Sequence, residues 1–278
     1  VIVHLIDGTY ELFRHFYGAR RANGGKDLQF GAVIGVLNTV LQMIDDRATH
    51  IGVATDHVIE SFRNRLYDAY KNGTGIEPVL RAQFEPLEHA LVSMGIVVWP
   101  MVDLEADDAL ASAAASASND ARVSKVCIWT PDKDLSQCVR GDRVVQVDRR
   151  SKTIRDADGV RAKFGVDPAF IADYLALVGD SADGYPGIAG IGPKGAASLL
   201  NRYGPIEDFP PEVLGERRSL ALLFKDLATL RSDEPLLADV DELRWRGPTD
   251  TFSACSKRIG APWLLARAEK AFADFEAS

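Results

Sequence analysis

Three aspartates each follow a short apolar run: Asp7 after VIVHLI, Asp56 after GVAT and Asp132 after CIWTP. In an open parallel sheet, ligands bind beyond the carboxyl ends of the strands, so acids placed there converge on one edge. Further acids join them. LEADD supplies Glu105, Asp107 and Asp108 where a strand gives way to a helix. PDKDL adds Asp134 two residues after Asp132, and in an extended chain the two point the same way. GDSAD places Asp180 and Asp183 one helical turn apart. Carboxylates so crowded repel one another unless cations neutralise them. Oxygen-only ligands select hard ions, Mg²⁺ or Mn²⁺. Two such ions about 3.5–4 Å apart clamp an in-line displacement at phosphorus, one generating hydroxide from water and the other stabilising the leaving oxygen. A single Asp is more often a helix cap or a solvated surface residue. The repetition at strand ends carries the reading.

A second feature suits phosphate. Gly187, Gly190 and Gly192 precede Pro193, Lys194 and the helical stretch AASLLNRY. Proline is favoured at the first helical position, and a helix N-terminus offers free N–H groups to an anion. A helix–hairpin–helix element of this kind grips a backbone phosphate without reading bases. Two look-alikes fail. IDGT lacks the first acid of the phosphatase pattern D-x-D-G-T, since Leu5 stands there, and GIAGIGPK has Pro193 where a P-loop needs its lysine.

These groups must be positioned by a scaffold. Apolar β-rich runs at 1–6, 51–55, 95–101, 123–130 and 144–147 alternate with helical patterns such as 30–47 and 78–94. That alternation predicts an α/β fold with a mostly parallel sheet flanked by helices. The small-residue stretch 109–118 predicts a closely packed helix. From about residue 167 the strands stop, and helices are expected at 168–178, 193–203 and 217–231. The expected organisation is a core over 1–166, a helical unit over 167–240 and a tail over 241–278 that ends in a packing helix at 263–275.

The motifs IDGTYELFR, ATDHVIESFRNRLYDAYK, LEADD, TPDKDL, GDSADGYPG and GIGPKGAASLL run in order from residue 6 to 200. In this order they resemble the 5′-nuclease (flap endonuclease) superfamily. The chain is similar to the bacterial 5′–3′ exonuclease joined to the N-terminus of DNA polymerase I, here standing alone. The resemblance implies a PIN-like or resolvase-like core with a helical arch at about 62–95. It implies that Asp7, Asp56, Glu105 and Asp107 hold a first metal with Asp108 beside it. Asp132, Asp134, Asp180 and Asp183 would hold a second, with two or three Mg²⁺ or Mn²⁺ in all. Arg14 and Arg63 would contact substrate phosphates, and Lys71 would stabilise the scissile phosphate. Tyr70 would stack on an unpaired base. The Gly190–Lys194 turn, with Gly187, would bind duplex DNA, its carbonyls holding K⁺. The family's arch arginine is replaced by Thr74, a common Tyr by Leu104 and a common Asn by Gly184.

The net charge of −8 argues against nucleic acid at first sight, because phosphates attract basic faces. Nine of the negative charges, however, belong to the nine acids just named, and the remainder of the chain carries one net positive charge. The expected partner is DNA with a 5′ flap, nick or recessed end, including RNA-primed ends. Cleavage would leave a 5′-phosphate. A monomer in the bacterial cytoplasm is expected. Cys127, Cys138 and Cys255 share no C-x-x-C spacing, and no apolar run approaches the ~20 residues of a membrane span. Two alternatives remain open: a junction-binding scaffold with little catalysis, and a PIN-type ribonuclease.

Overall fold

The structure, a computed structural model, describes residues 1–22, 24–26 and 28–276. Strand β1 (Ile2–Asp7) runs straight into helix α1 (Gly8–Ala22), and α2 (Gly31–Asp45) returns the chain to β2 (His50–Asp56). Two four-residue helices, α3 (Arg63–Leu66) and α4 (Pro78–Arg81), precede α5 (Phe84–Ser93) and β3 (Val97–Met101). Then come α6 (Ala106–Asn119), β4 (Lys125–Trp129), β5 (Val144–Asp148) and β6 (Thr153–Arg155). The remainder is helical: α7 (Ala157–Phe164), α8 (Ile171–Val178), α9 (Pro193–Tyr203), α10 (Pro211–Leu214), α11 (Arg218–Ala228), α12 (Phe252–Arg258) and α13 (Trp263–Glu276).

The strand order is β3-β2-β1-β4-β5-β6, with β6 antiparallel to β5 and every other pair parallel. The order reverses between β1 and β4. An open α/β sheet binds ligands at such a switch point, outside the carboxyl ends of the strands. Asp7 ends β1 and Asp56 ends β2, which puts both acids at that edge.

Each face of the sheet is covered. Ile6, Ile51 and Val53 pack with α1, α2, α5, α12 and α13. The tail belongs to this layer: Trp245 is buried, and its indole N–H donates to the Met94 carbonyl at 2.9 Å. On the other face Val3, Leu5, Val126 and Ile128 meet Ala109, Ala113, Ala114 and Ala117 of α6. The small side chains expected over 109–118 let this helix lie close to the strands. A third cluster joins α7, α8, α9 and α11 and takes in Tyr70.

The single helix expected over 78–94 is broken at Ala82–Gln83. Gln83 is fully buried, and its Oε1 accepts the N–H groups of Ala32 and Val33 at 3.1 and 3.4 Å, so it satisfies free donors at the start of α2. Among the described residues, no helix is long and apolar enough to cross a membrane.

Candidate active site

The cleft is built from strand ends. A Cβ added to Gly8 would lie 2.8 Å from the Ala54 carbonyl oxygen, so only glycine lets α1 leave the sheet so close to β2. This pins Asp7 at the start of α1. Its Oδ1 accepts the Tyr10 N–H at 2.8 Å, and its Oδ2 accepts the Thr130 hydroxyl at 2.9 Å. Asp56 Oδ1 accepts the Ala106 N–H at the start of α6, and the Asp56 N–H donates to Thr9 Oγ1. Glu105 caps α6, buried, with the Ser61 hydroxyl donating to it at 2.6 Å. Asp107 sits half-buried in the first turn of that helix.

The second group of acids comes from two units. Asp134 opens a short 3₁₀ turn after β4, while Asp180 and Asp183 lie in the loop between α8 and α9. Carboxylate oxygens of Asp134, Asp180 and Asp183 lie within 4.8 Å of one another, and all three residues are buried. Asp132 and Asp134 do not project together from an extended strand. The chain turns, exposed Asp132 accepts the Asp134 N–H on Oδ1 at 3.0 Å, and Asp134 points inward. Nor does a helical turn join Asp180 to Asp183. A bridge between Asp180 and Tyr185 closes a tight loop, and the Ala182 N–H caps Asp180 Oδ1.

Two lysines enter the acid cluster. Lys71 Nζ lies 2.8 Å from Glu105 Oε2 and 3.0 Å from Asp183 Oδ1. Lys133 Nζ lies 2.6 Å from Asp180 Oδ2. The sequence reading gave Lys133 no role, although its place between Asp132 and Asp134 was the available signal.

Two cations do not balance the site. Burial pushes the Asp7 carboxyl up to about 7, with Asp56 and Asp132 adding repulsion. Burial, then repulsion from Asp132 and Asp7, holds Asp107 well above the carboxylate range. Asp134 is raised by burial and by Asp132, Asp183 and Asp180. Glu105 moves the other way: burial would raise it, but Lys71 and Arg63 outweigh that and lower it. Asp134 Oδ1 is buried and has no hydrogen-bond partner. A buried, unpaired carboxylate oxygen among repelling acids fits a hard divalent cation, whose charge would reverse these shifts.

A model of the 5′–3′ exonuclease N-terminal resolvase-like domain matches residues 2–165, and one of the 5′–3′ exonuclease C-terminal SAM fold matches 166–251. The chain belongs to the 5′–3′ exonuclease family. It is 33% identical over 208 residues to a 5′–3′ exonuclease of Aquifex aeolicus, covering 74% of this chain and 71% of that one. It is 33% identical over 259 residues to DNA polymerase I of Pseudomonas aeruginosa, covering 86% of this chain but only 28% of the polymerase. In three dimensions it matches the bacteriophage T5 D15 flap endonuclease, in a pseudo-enzyme-product complex with DNA and metal ions. The TM-score is 0.65 at 18% identity, over 97% of this chain and all of the phage protein.

Within this 5′–3′ exonuclease family fold, four expected site residues are packed into the scaffold. Arg63 is paired inside the protein. It is 1% exposed, with Nη1 and Nη2 donating to Asp108 at 2.7 and 2.8 Å and Nε to the Leu227 carbonyl. Asp108 shares Arg63 with Glu105. Besides Arg63, its oxygens accept the N–H groups of Glu105 and Arg231, which ties α6 to the segment after α11. Tyr70 is buried in the helical unit's core, its hydroxyl directed at Glu105. Gly187 is buried as well: a Cβ there would lie 2.4 Å from the Gly179 nitrogen. Gly190, Gly192 and Lys194 remain exposed at the start of α9. Arg14 is half-buried beside Glu11. Thr74 is exposed on the passage between α3 and α4.

Proposed function

We propose that this chain is a divalent-metal-dependent 5′ nuclease that hydrolyses DNA phosphodiester bonds at 5′ flaps, nicks and recessed 5′ ends, RNA-primed ends included. The observation that carries the reading is the buried Asp134, Asp180 and Asp183 cluster closed across two units beside Lys71. The chain spans 28% of the Pseudomonas polymerase, so the polymerase's wider activities are not carried over.

Asp7, Asp56, Glu105 and Asp107 would hold one Mg²⁺ or Mn²⁺ and Asp132, Asp134, Asp180 and Asp183 another, and the proposal extends to a third on the same acids. Ions bound there would supply the Lewis-acid charge that an in-line displacement at phosphorus needs. Lys71 then stands free to turn from Glu105 and Asp183 toward the scissile phosphate, adding a positive charge where negative charge develops. Lys133 holds Asp180 in place at 2.6 Å. Thr130 and the Tyr10 N–H orient Asp7. The exposed turn 190–194 would anchor duplex DNA through backbone N–H groups and Lys194, with K⁺ on its carbonyls. No base-reading group is implied, so sequence preference should be weak. The setting proposed is the bacterial cytoplasm, with the protein acting as a monomer.

The test is cleavage of a labelled 5′-flap DNA against a matched single-stranded RNA, with Mg²⁺ and with EDTA. The reading expects Mg²⁺-dependent cutting near the flap junction, an intact RNA and a 5′-phosphate on the product. Junction binding without cutting would favour a scaffold, and cutting of the RNA alone would favour a ribonuclease.

A further inference from the structure

One cationic ridge has no part in the chemistry above. It follows β6 and α7, between the rim of the acid cleft and the start of α9. Arg155 ends β6, and its Nη1 donates to Gln146 Oε1 at 2.8 Å. Gln146 is buried, and its Nε2 donates to the Asp132 carbonyl. One buried amide therefore ties Arg155 to the cleft rim. Lys163 lies in the last turn of α7, exposed, with its ammonium 4.8 Å from the centre of the Phe164 ring. Two residues on, the chain meets α9. A Cβ on Gly165 would lie 3.2 Å from Ala197 Cβ, and Asn201 Nδ2 donates to the Gly165 carbonyl at 2.7 Å. Ala197 stands about one helical turn after Lys194. Arg155 and Lys163 thus bridge the cleft and the exposed 190–194 turn.

The ridge is not neutralised from within. Arg161, on the same helix, is ion-paired with Asp158 and Asp167, each at 2.5 Å. Among the described residues, Arg155 and Lys163 have no such partner. Nearby Asp148 is turned to the Arg150 N–H and the Ser151 hydroxyl, and Asp156 caps α7 through the Gly159 N–H. Burial, and then repulsion from Arg155, holds the Lys163 ammonium below its ordinary range; Asp132 opposes this and Lys133 adds to it. Cations that repel one another in this way are stabilised by an anion laid between them. A row of such groups leading out of a phosphodiester-cleaving cleft matches the repeating charge of a DNA backbone.

We propose that Arg155 and Lys163 form a phosphate track that carries one strand of duplex DNA from the Asp132–Lys133 rim of the cleft to the 190–194 turn. The inference rests on the nuclease reading above and names the surface by which the duplex reaches its anchor. Arg155 and Lys163 are binding residues, each taking a backbone phosphate. Gln146 is a positioning residue, since it holds Arg155 at a fixed height above the cleft rim. The track reads no bases, because its groups are aimed at phosphate charge alone.

The test is fluorescence anisotropy of 5′-flap DNA across a salt titration, with EDTA present so that no strand is cut. Lys163→Gln and Arg155→Gln should each weaken binding and flatten the plot of log K against log salt by ~0.9, the loss of one duplex phosphate contact. Lys163→Arg should keep the wild-type slope. So should Arg161→Gln, which removes a charge from the same helix but not from the track. A single strand of the same length should bind wild type and Lys163→Gln alike. In single-turnover cleavage with Mg²⁺, Lys163→Gln should raise the half-saturating protein concentration and leave the rate at saturation unaltered. An unchanged slope in Lys163→Gln, an equal flattening in Arg161→Gln or an equal loss on the single strand would overturn the track. A lowered rate at saturation with unaltered half-saturation would overturn it too, by moving Lys163 into the chemistry. If Arg155→Gln does not fold, the Lys163 variants decide. Wild-type protein that neither binds nor cuts flap DNA would sink the nuclease reading itself, a different result from any change in slope.

Discussion

Lys71 and Asp183 are joined twice. The Lys71 backbone N–H donates to the Asp183 carbonyl at 2.9 Å, and the Lys71 ammonium lies 3.0 Å from Asp183 Oδ1. One residue follows the sheet and the other belongs to the helical unit, so this pair sets how the two halves of the acid cluster meet. The same ammonium reaches Glu105 at 2.8 Å. Without metal, Lys71 is the cation that both halves share.

Removing that ammonium should therefore act on the chemical step. Lys71→Ala is expected to lower the single-turnover rate of flap cleavage by ~10²–10³, the usual cost of one positioned charge-stabilising group. Binding should change little. An unaltered single-turnover rate would take Lys71 out of catalysis.

Arg63 gives the opposite expectation. Breaking a buried, hydrogen-bonded ion pair from one side leaves a stranded charge, at a cost of about 3–5 kcal/mol. Arg63→Met should lower the urea midpoint by a corresponding amount, because it strands Asp108 between α6 and the segment after α11. Weaker DNA binding at unchanged stability would instead place Arg63 on the substrate.

These two arginine and lysine roles show what was legible in the sequence. The strand-end acids could be read because a parallel sheet puts every strand's carboxyl end on one side. The period-two and helical patterns therefore located Asp7, Asp56, Glu105 and Asp107. Burial of individual polar groups could not be read. Arg63 and Asp108 look like any exposed pair in sequence, and only the fold buries both. Helix α1 has three arginines and a polar average, so periodicity does not announce it. Strand β6 is three residues long with two of them exposed. The break at Gln83 depends on a contact with α2, some fifty residues away, and local propensity carries no trace of it.

Gly184 tests the seam between the two units. Its φ is +88°, and a Cβ would lie 2.1 Å from the Ala69 carbonyl oxygen. Asparagine tolerates that backbone region better than most residues, but the clash is with backbone and cannot be relieved by a rotamer. Gly184→Asn should push residues 69–71 away from Asp183, destabilise the protein by more than about 1 kcal/mol and slow cleavage. Wild-type thermal stability in that variant would show that the seam opens freely.

Metal uptake should be linked to protons. Burial holds the Asp7 carboxyl up to about 7, above its value in an unfolded chain, so the metal-free native state keeps a proton there that the unfolded state has lost. Asp7 thus favours the metal-free fold at low pH, and this contribution fades as pH rises through about 7. Metal binding requires the ionised form and expels the proton. The rise in Tm produced by Mg²⁺ should therefore grow between about pH 6 and pH 8, on either side of the Asp7 pKa of about 7. Calorimetry in two buffers of different ionisation enthalpy should show proton release, and a heat independent of buffer would contradict the linkage.

The net charge of −8 is concentrated where cations must go, with Asp108 paired to Arg63. The most direct measurement is single-turnover cleavage of 5′-flap DNA across a Mg²⁺ titration, wild type against Asp134→Asn. The substitution keeps the side-chain shape and removes the one buried, unpartnered carboxylate oxygen of the cluster. The account predicts a rate lowered by at least ~10², beyond what loss of a supporting residue usually costs, with flap binding retained. Cleavage at the wild-type rate and with the wild-type Mg²⁺ dependence would contradict it.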